Sequence, residues 1–399
     1  MTANCTQPAM PRPLQQRFFD HVPALDGLRG IAILLVILHN AAHFGEHPHG
    51  FFWIVAVIAA QGWVGVQLFF VLSGFLITSK LLATRHASNY YAVFFGRRVL
   101  RIFPLYYGAL IVGLVIAPAL TGKPPGGDAS SVHEIWLWTF LFNWVHPWGT
   151  PAFGFPHFWS LAVEEQFYLL WPFVVHRLSD TKLARACLGL IIGTLVVRTI
   201  MAVIGAPDEM IYEFTICRMD ALAAGALLAT WLDYQDRPRL LLTTSSWHLP
   251  AALAIVTLGA LFSRLYTRDT LFTQTIGYTF LAAFFALILL PCVIGTNRLN
   301  RIWRALLSAR ALRSVGKYSF AMYVFHFPIQ WHLQKFLPLL EQRLAAWAGI
   351  VFVVIVGLLS YAGAYLSYHL FEKHFLRLKS SFTPRAPQAG TSAEVLRHA

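Results

Sequence analysis

The sequence has little charge and few cysteines. Only 12% of its 399 residues are charged and 57% are hydrophobic, whereas a soluble domain has about 25% charged residues. This shortage of charge excludes an ordinary soluble protein, and the chain is predicted to be an all-α polytopic membrane protein. The four cysteines, Cys5, Cys187, Cys217 and Cys292, stand singly without CxxC spacing. Neither a disulfide framework nor a metal site is therefore indicated.

Three further absences narrow the class of protein. Residues 1–23 lack the short apolar core and the small-residue cleavage site of a signal peptide, so the first helix is expected to remain as an uncleaved anchor. The spanning segments leave no room for a separate soluble catalytic domain, which places any chemistry among the helices. No internal repeat is visible, and this weakens a transporter interpretation because many transporters consist of repeated halves.

Apolar runs predict about ten transmembrane helices, since about 20 apolar residues cross a bilayer. The predicted spans are residues 28–46, 62–82, 102–120, 160–178, 185–204, 216–233, 248–266, 272–294, 318–336 and 345–370. The aromatic stretch from Ile135 to Trp148 is short, and it is predicted to be re-entrant or interfacial. The domains are then a cytoplasmic segment 1–23, a transmembrane domain 24–372 and a basic disordered tail 373–399. Acceptor specificity is expected in the outer loops, residues 121–160 and 205–217.

The few charges are distributed unevenly between the two sides of the membrane. With an internal N-terminus, the inner regions collect Lys80, Arg85, Arg97, Arg98, Arg101, Arg177, Lys182, Arg185, the cluster from Arg298 to Lys317 and the basic tail. The outer loops hold only Lys123, Arg264, Arg268, Lys335 and Arg343. Both termini are therefore predicted to be cytoplasmic. The net charge of +13 follows from this topology and does not indicate nucleic-acid binding.

The first apolar run carries ionisable residues, which are costly in a bilayer and indicate function. A helix rises about 1.5 Å per residue, so Arg29 near the inner edge places His39 about 15 Å deeper, near the membrane centre. A histidine suits general-base catalysis on a hydroxyl because its pKa lies near the working pH. The alternative is a buried histidine that is hydrogen-bonded to a helix carbonyl.

Two charged pairs are further candidates for a site. Arg98 and Arg101 share one face of a helix that enters from the inner side, and guanidinium groups bind phosphate oxygens in a bidentate fashion. The alternative for this pair is simple positive-inside anchoring. Glu164 and Glu165 lie in the outer half of their helix, where Glu165 is preferred as the carboxylate that orients the catalytic histidine. The alternative for both glutamates is exposure at the membrane surface.

Tryptophans crowd the outer segment, and Trp159 is the candidate among them for contact with substrate. Aromatic rings can stack on sugar rings near an acceptor entrance. The alternative is an aromatic belt at the membrane interface.

Six motifs, in this order and spacing, resemble the membrane-bound acyltransferase-3 family. They are ALDGLRGIAILLVILHN at 24–40, GWVGVQLFFVLSGFLIT at 62–78, FFGRRVLRIFPLYY at 94–107, FWSLAVEEQFYLLWP at 158–172, RMDALAAGALLA at 218–229 and GKYSFAMYVFHFP at 316–328. The resemblance covers about Ala24 to Glu372, and no fused SGNH-type esterase domain follows, as it does in some relatives. It implies an enzyme that O-acylates bacterial surface polysaccharides or other glycans, and a core of about ten helices.

The resemblance also implies the substrates and the location. An acyl-coenzyme A donor, acetyl-coenzyme A as the commonest case, is a co-substrate taken from the cytoplasm, and no cofactor stays bound. The acceptor is a hydroxyl of a surface polysaccharide, such as lipopolysaccharide, or of a lipid-linked sugar. The expected location is the bacterial inner membrane, in contact with membrane lipid.

The resemblance implies roles for individual residues, with one departure. Arg98 and Arg101 match the family's RxxR spacing and would bind the donor, while Arg29 would hold its phosphate or stabilise charge near the thioester. In the family, the essential histidine follows this arginine after ten intervening residues, but here that position is Asn40 and His39 precedes it. His39 would act as general base or carry the acyl group, so one-step and two-step transfer both stay open. The alternative function is a glycan or lipid exporter without covalent chemistry, which Asn40 favours.

Overall fold

The computed structural model describes residues 22–44, 48–122, 134–149, 153–233, 248–262, 267–294 and 297–385. Within these ranges the chain is almost entirely helical and contains no β-strand, which confirms the all-α class there. The first 21 residues and those from 386 onward lie outside the described residues. The predictions of a cytoplasmic N-terminal segment and of a disordered end therefore stay predictions for them.

Helices of eight or more residues in the described ranges are numbered in chain order. They are α1 (Pro23–Ala41), α2 (Phe51–Ala60), α3 (Val64–Thr84), α4 (Tyr90–Leu110), α5 (Phe158–Arg177), α6 (Asp180–Val203), α7 (Met219–Asp233), α8 (His248–Phe262), α9 (Tyr278–Val293), α10 (Arg298–Leu307), α11 (Arg310–Leu333), α12 (Leu337–Leu344) and α13 (Ala348–Ser367). Shorter helical segments extend α4 to Thr121 and precede α9 from Thr273.

Six continuous helical stretches in the described residues are long and apolar enough to cross a membrane. They are Pro23–Ala41, Val64–Thr84, Tyr90–Thr121, Asp180–Val203, Thr273–Val293 and Arg310–Ser381, the last of which contains both α11 and α13. The chain is thus a multi-pass membrane protein. Each of the ten predicted segments overlaps a helix in the described residues. Helices α5, α7 and α8 are not among the six stretches, so the predicted count of about ten spans is not confirmed.

Two parts of the fold differ from the sequence predictions. Helix α2 was not predicted, because its ten apolar residues are too few to cross a bilayer. The predicted disordered tail begins too early at residue 373, since Lys373–Arg377 is helical and Leu378–Ser381 forms a 3₁₀ turn. The stretch predicted to be re-entrant contains two helices of only four residues, Ile135–Trp138 and Phe142–Val145.

Glycines set two close helix contacts at the core. A Cβ atom at Gly74 of α3 would lie 1.9 Å from the Leu222 carbonyl oxygen of α7, and one at Gly225 of α7 would lie 2.0 Å from the Val71 oxygen of α3. Only glycine permits backbones to approach so closely, as is common between membrane helices. Gly74 and Gly225 thus allow α3 and α7 to pack closely. Helix α1 meets α11 in the same way, because a Cβ at Gly316 would lie 1.8 Å from the Asp26 oxygen.

Candidate functional site

A cavity of about 580 Å³ lies among α1, α3, α4, α5 and α11. Its wall brings together five of the predicted site residues, namely Arg29, Arg98, Arg101, Glu164 and Glu165. A second cavity of about 420 Å³ adjoins it, since Arg29, Lys80 and Arg101 line both. Helical periodicity explains the grouping on α4, where residues three apart lie on one face.

Cations outnumber carboxylates on the wall of the larger cavity. Arg29, Lys80, Arg97, Arg98, Arg101 and Lys379 face Glu164 and Glu165. Arg29 has a partner in Asp26, at 3.6 Å. Arg101 and Lys80 make no ion pair within the described part of the chain. Arg101 is half-buried and Lys80 is exposed, so this wall presents positive charge that suits a polyanionic ligand.

The Glu164 carboxylate is held by a short chain of hydroxyl groups. Tyr168 donates its hydroxyl to Ser73 Oγ at 2.8 Å, and Ser73 donates in turn to Glu164 Oε1 at 2.6 Å. The Arg98 guanidinium carbon lies 4.0 Å from the centre of the Tyr168 ring. Glu165 makes no hydrogen bond to any described residue, which leaves its carboxylate available to substrate. One signal of these linked hydroxyl groups is visible in the sequence, since Tyr168 is four residues from Glu164 and lies on the same helix face.

His39 lies in the last turn of α1, apart from the residues that line the two cavities. Its Nδ1 atom lies 3.1 Å from the Ala59 carbonyl oxygen of α2. A carbonyl only accepts, so Nδ1 carries the proton in the neutral ring and Nε2 keeps its lone pair. The histidine is thus hydrogen-bonded to a helix carbonyl, as in the alternative interpretation. The bond uses Nδ1, however, so Nε2 does not take part in it and can still accept a proton.

The displacement of the histidine by one residue is not corrected by the helix. Helix α1 is continuous through Ala41, and at about 100° per residue Asn40 falls on the Arg29 face while His39 lies about 80° away. Asn40 is occupied elsewhere, since its Nδ2 donates to the Val36 oxygen at 2.9 Å. Nδ1 of His43 lies 2.9 Å from the Ala41 carbonyl oxygen at the end of α1, a contact that stabilises the local backbone.

Trp159 does not offer an open stacking surface. It is only 6% exposed, and its ring centre lies 4.8 Å from that of Tyr212 and 6.1 Å from that of Phe70. These rings surround Arg218, whose guanidinium carbon lies 5.9 Å from the Trp159 ring centre. The Trp159 ring thus packs in an aromatic cluster, and its role as a substrate contact stays a prediction.

Arg218 and Asp220, which begin α7, do not pair with each other. Asp220 instead accepts from Arg198 of α6 at 2.8 Å, and both residues are buried. Arg218 donates to Gln67 Oε1 at 2.6 Å, but its Nε and Nη1 atoms are buried without a hydrogen-bond partner. The sequence could not distinguish these two arginines because both occur in apolar stretches.

The two outer loops predicted to set acceptor specificity contact each other. Nδ1 of His146 lies 2.8 Å from Glu213 Oε2, which joins the segment after α4 to the short helix Asp208–Glu213. Burial raises the pKa of the Glu213 carboxyl, while the hydrogen bond with His146 acts in the opposite direction.

Comparison with known proteins gives a family match over most of the chain. The acyltransferase-3 model, described as an acyltransferase domain, matches residues 22–369. The peptidoglycan O-acetyltransferase OatA of Listeria monocytogenes is 29% identical over 77% of this chain and 49% of its own length. YrhL of Bacillus subtilis, provisionally named a peptidoglycan O-acetyltransferase, is 31% identical over 88% of this chain and 54% of its own.

A third relative, the O-acetyltransferase OatA of Staphylococcus aureus, is 25% identical over 77% of this chain and 50% of its own length. The chain thus spans about half the length of the curated relatives it matches. No solved structure matches it.

Proposed function

The chain belongs to the acyltransferase-3 family, and from this we propose that it is an integral membrane O-acyltransferase. It would transfer an acyl group, with acetyl as the expected one, from acyl-coenzyme A to a glycan hydroxyl. The names of the relatives make a cell-wall glycan the acceptor to test first. The observation that carries the proposal is the cavity that joins a cationic wall to two adjacent glutamates inside a helix bundle.

The cationic wall supports binding of the donor. Coenzyme A carries a 3′-phosphate and a pyrophosphate, and guanidinium groups bind phosphate in bidentate fashion. Arg98 and Arg101 would hold these phosphates, and Arg29, on the neighbouring helix, would contact the phosphates or the thioester. In this proposal the cationic end faces the cytoplasm, both termini are cytoplasmic, and about ten helices cross a bacterial inner membrane.

His39 would supply the base. Its Nε2 lone pair would accept the proton of the sugar hydroxyl as the oxygen attacks the thioester carbon, and coenzyme A would leave as the thiol. Direct transfer and transfer through an acyl-imidazole would use this same atom. Arg29 and His39 are ten residues apart on α1, or about 15 Å, and the long pantetheine arm of coenzyme A is suited to such a separation. Glu164 and Glu165, on the wall of the larger cavity, would contact the bound donor from α5.

Transfer of radiolabelled acetyl from acetyl-coenzyme A to extractable glycan in membrane vesicles tests the proposal. Loss of a general base costs about 10²- to 10⁴-fold in rate, and this is the decrease expected for His39→Ala. His43→Ala is the matched control, because that histidine contacts its own helix end. Full transfer by His39→Ala would assign the base to another group, with Glu165 next. Glycan movement across the vesicle membrane without acetyl transfer by wild type would contradict the enzyme and favour the exporter.

A further inference from the structure

The segment after the last helices folds back against the start of α4. Residues 378–385, here named the strap, follow the short helix Lys373–Arg377. Arg97 of α4 donates from Nε to the Phe382 carbonyl oxygen at 2.7 Å. Asn89, just before α4, donates from Nδ2 to the Thr383 oxygen at 2.9 Å. The strap is therefore held at two points along the same helix end.

A reciprocal pair of hydrogen bonds secures the far end of the strap. The backbone N–H of Arg385 donates to Asn89 Oδ1 at 3.0 Å, and the backbone N–H of Ser88 donates to the Arg385 oxygen at 3.2 Å. Asn89 thus both donates to the strap and accepts from it. Such fixation distinguishes this segment from a loosely lying end.

A glycine on α4 makes room for the strap. A Cβ atom at Gly96 would lie 2.3 Å from the nearest atom of the Phe382 ring, so any side chain at this position displaces that ring. Gly108, on the same helix, differs, because a Cβ there would meet only the Phe371 ring, at 3.7 Å. Gly96 therefore accommodates the Phe382 ring of the docked strap.

The docked strap contributes to the wall of the larger cavity. Lys379 and Ser380 line it together with Arg97, Arg98 and Arg101. Lys379 makes no ion pair with any described carboxylate. The strap consequently adds a cation to a cavity wall that already carries more cations than carboxylates. It adds this cation near the start of α4.

We propose that the strap is part of the donor site and that Lys379 binds a phosphate group of coenzyme A. The inference rests on the proposed function, because it requires a phosphate-bearing donor in this cavity. Arg97 would link the two roles, since it lines the cavity and holds the Phe382 carbonyl. The strap thereby shapes the site while its lysine contacts the ligand.

Binding of coenzyme A to the purified full-length chain in detergent micelles, measured by titration calorimetry, tests the lysine. We expect Lys379→Gln to weaken binding roughly 10- to 100-fold, as for loss of one charged hydrogen bond, and we expect added salt to reduce the difference. Lys373→Gln removes the same charge from a residue that lines neither cavity, and it should bind as wild type does. Dephospho-coenzyme A, which lacks the 3′-phosphate, identifies the group that Lys379 contacts. If Lys379→Gln weakens its binding as much as that of coenzyme A, Lys379 contacts the pyrophosphate; if the variant no longer weakens binding, Lys379 contacts the 3′-phosphate.

The glycine tests the strap independently of its charge. Gly96→Ala should weaken binding of coenzyme A as Lys379→Gln does, whereas Gly108→Ala should not. If wild type binds no coenzyme A, the proposed function itself fails. If wild type binds it and both Lys379→Gln and Gly96→Ala match wild type, the strap inference alone is overturned.

Discussion

Two groups of cations inside this bundle differ in how their charge is balanced. Arg198 is fully buried and contacts Asp220 at 2.8 Å, together with three further oxygen atoms. Arg98 and Arg101 line a cavity, and the Nε atom of Arg98 is buried without a hydrogen-bond partner among the described residues. Charge that is balanced by the protein joins helices, and charge that is left over marks the place of a ligand.

The largest effect should come from breaking the balanced pair. Arg198→Met leaves the Asp220 carboxylate buried and unpaired, which is expected to cost about 3–5 kcal/mol of stability. The midpoint of thermal unfolding in detergent micelles measures the loss. The double variant Arg198→Met with Asp220→Leu should recover most of it, because no charge is then left unpaired. If Arg198→Met is as stable as wild type, the pair of Arg198 and Asp220 does not stabilise the fold.

The cavity cations should show the opposite pattern. Arg101→Gln is expected to weaken binding of coenzyme A by about 1.5–3 kcal/mol, the value of a hydrogen bond to a charged group, without lowering the unfolding midpoint. The midpoint should hold because Arg101 has no carboxylate partner to strand. Calorimetry and thermal unfolding on the same sample measure both quantities.

Arg85→Gln is the matched control for Arg101→Gln. Arg85 pairs with Asp180 at 2.6 Å and lies outside both cavities. Its loss should affect stability by about 0–1 kcal/mol and leave donor affinity unchanged. Equal loss of affinity for coenzyme A in both variants would show that Arg101 acts only through the net charge of the protein and does not contact the donor.

The helices were predictable because bilayer thickness imposes a length on apolar runs. The grouping of Arg98 with Arg101 was predictable for a similar reason, since a fixed helical period places them on one face. The partner of Asp220 was not, because Arg198 lies 22 residues away on another helix and no local period links the two.

The strap shows a different limit of sequence reasoning. A stretch rich in Ser, Pro and charge is typical of disorder, and it includes Lys379. What fixes it is a set of hydrogen bonds to residues almost 300 positions earlier, such as Asn89 to Thr383. Contacts over that distance depend on the whole bundle and leave no trace in local composition.

Arg218 is intermediate between the balanced Arg198 and the cations of the cavity wall. It is fully buried like Arg198 but has Gln67 and aromatic rings in place of a carboxylate, with the Tyr278 ring centre at 4.5 Å. Arg218→Met should cost about 1–2 kcal/mol, from lost cation–π attraction and one hydrogen bond. This is less than for Arg198→Met, because no buried carboxylate is stranded. Thermal unfolding of the two variants in parallel decides, and equal losses would contradict the distinction.

The smallest effect is expected at Ser73, which links Tyr168 to Glu164 on the cavity wall. Ser73→Ala removes a hydroxyl that orients this carboxylate, and we expect acetyl transfer to slow about 2- to 10-fold, as for loss of about 0.5–1.5 kcal/mol. Thr199→Ala is the control, because that hydroxyl bonds only to the Leu195 carbonyl of its own helix. An unchanged rate in Ser73→Ala would show that the cations alone position Glu164. A reduced rate would show that the cavity holds its carboxylate with neutral hydroxyls and so keeps its arginines free for the donor.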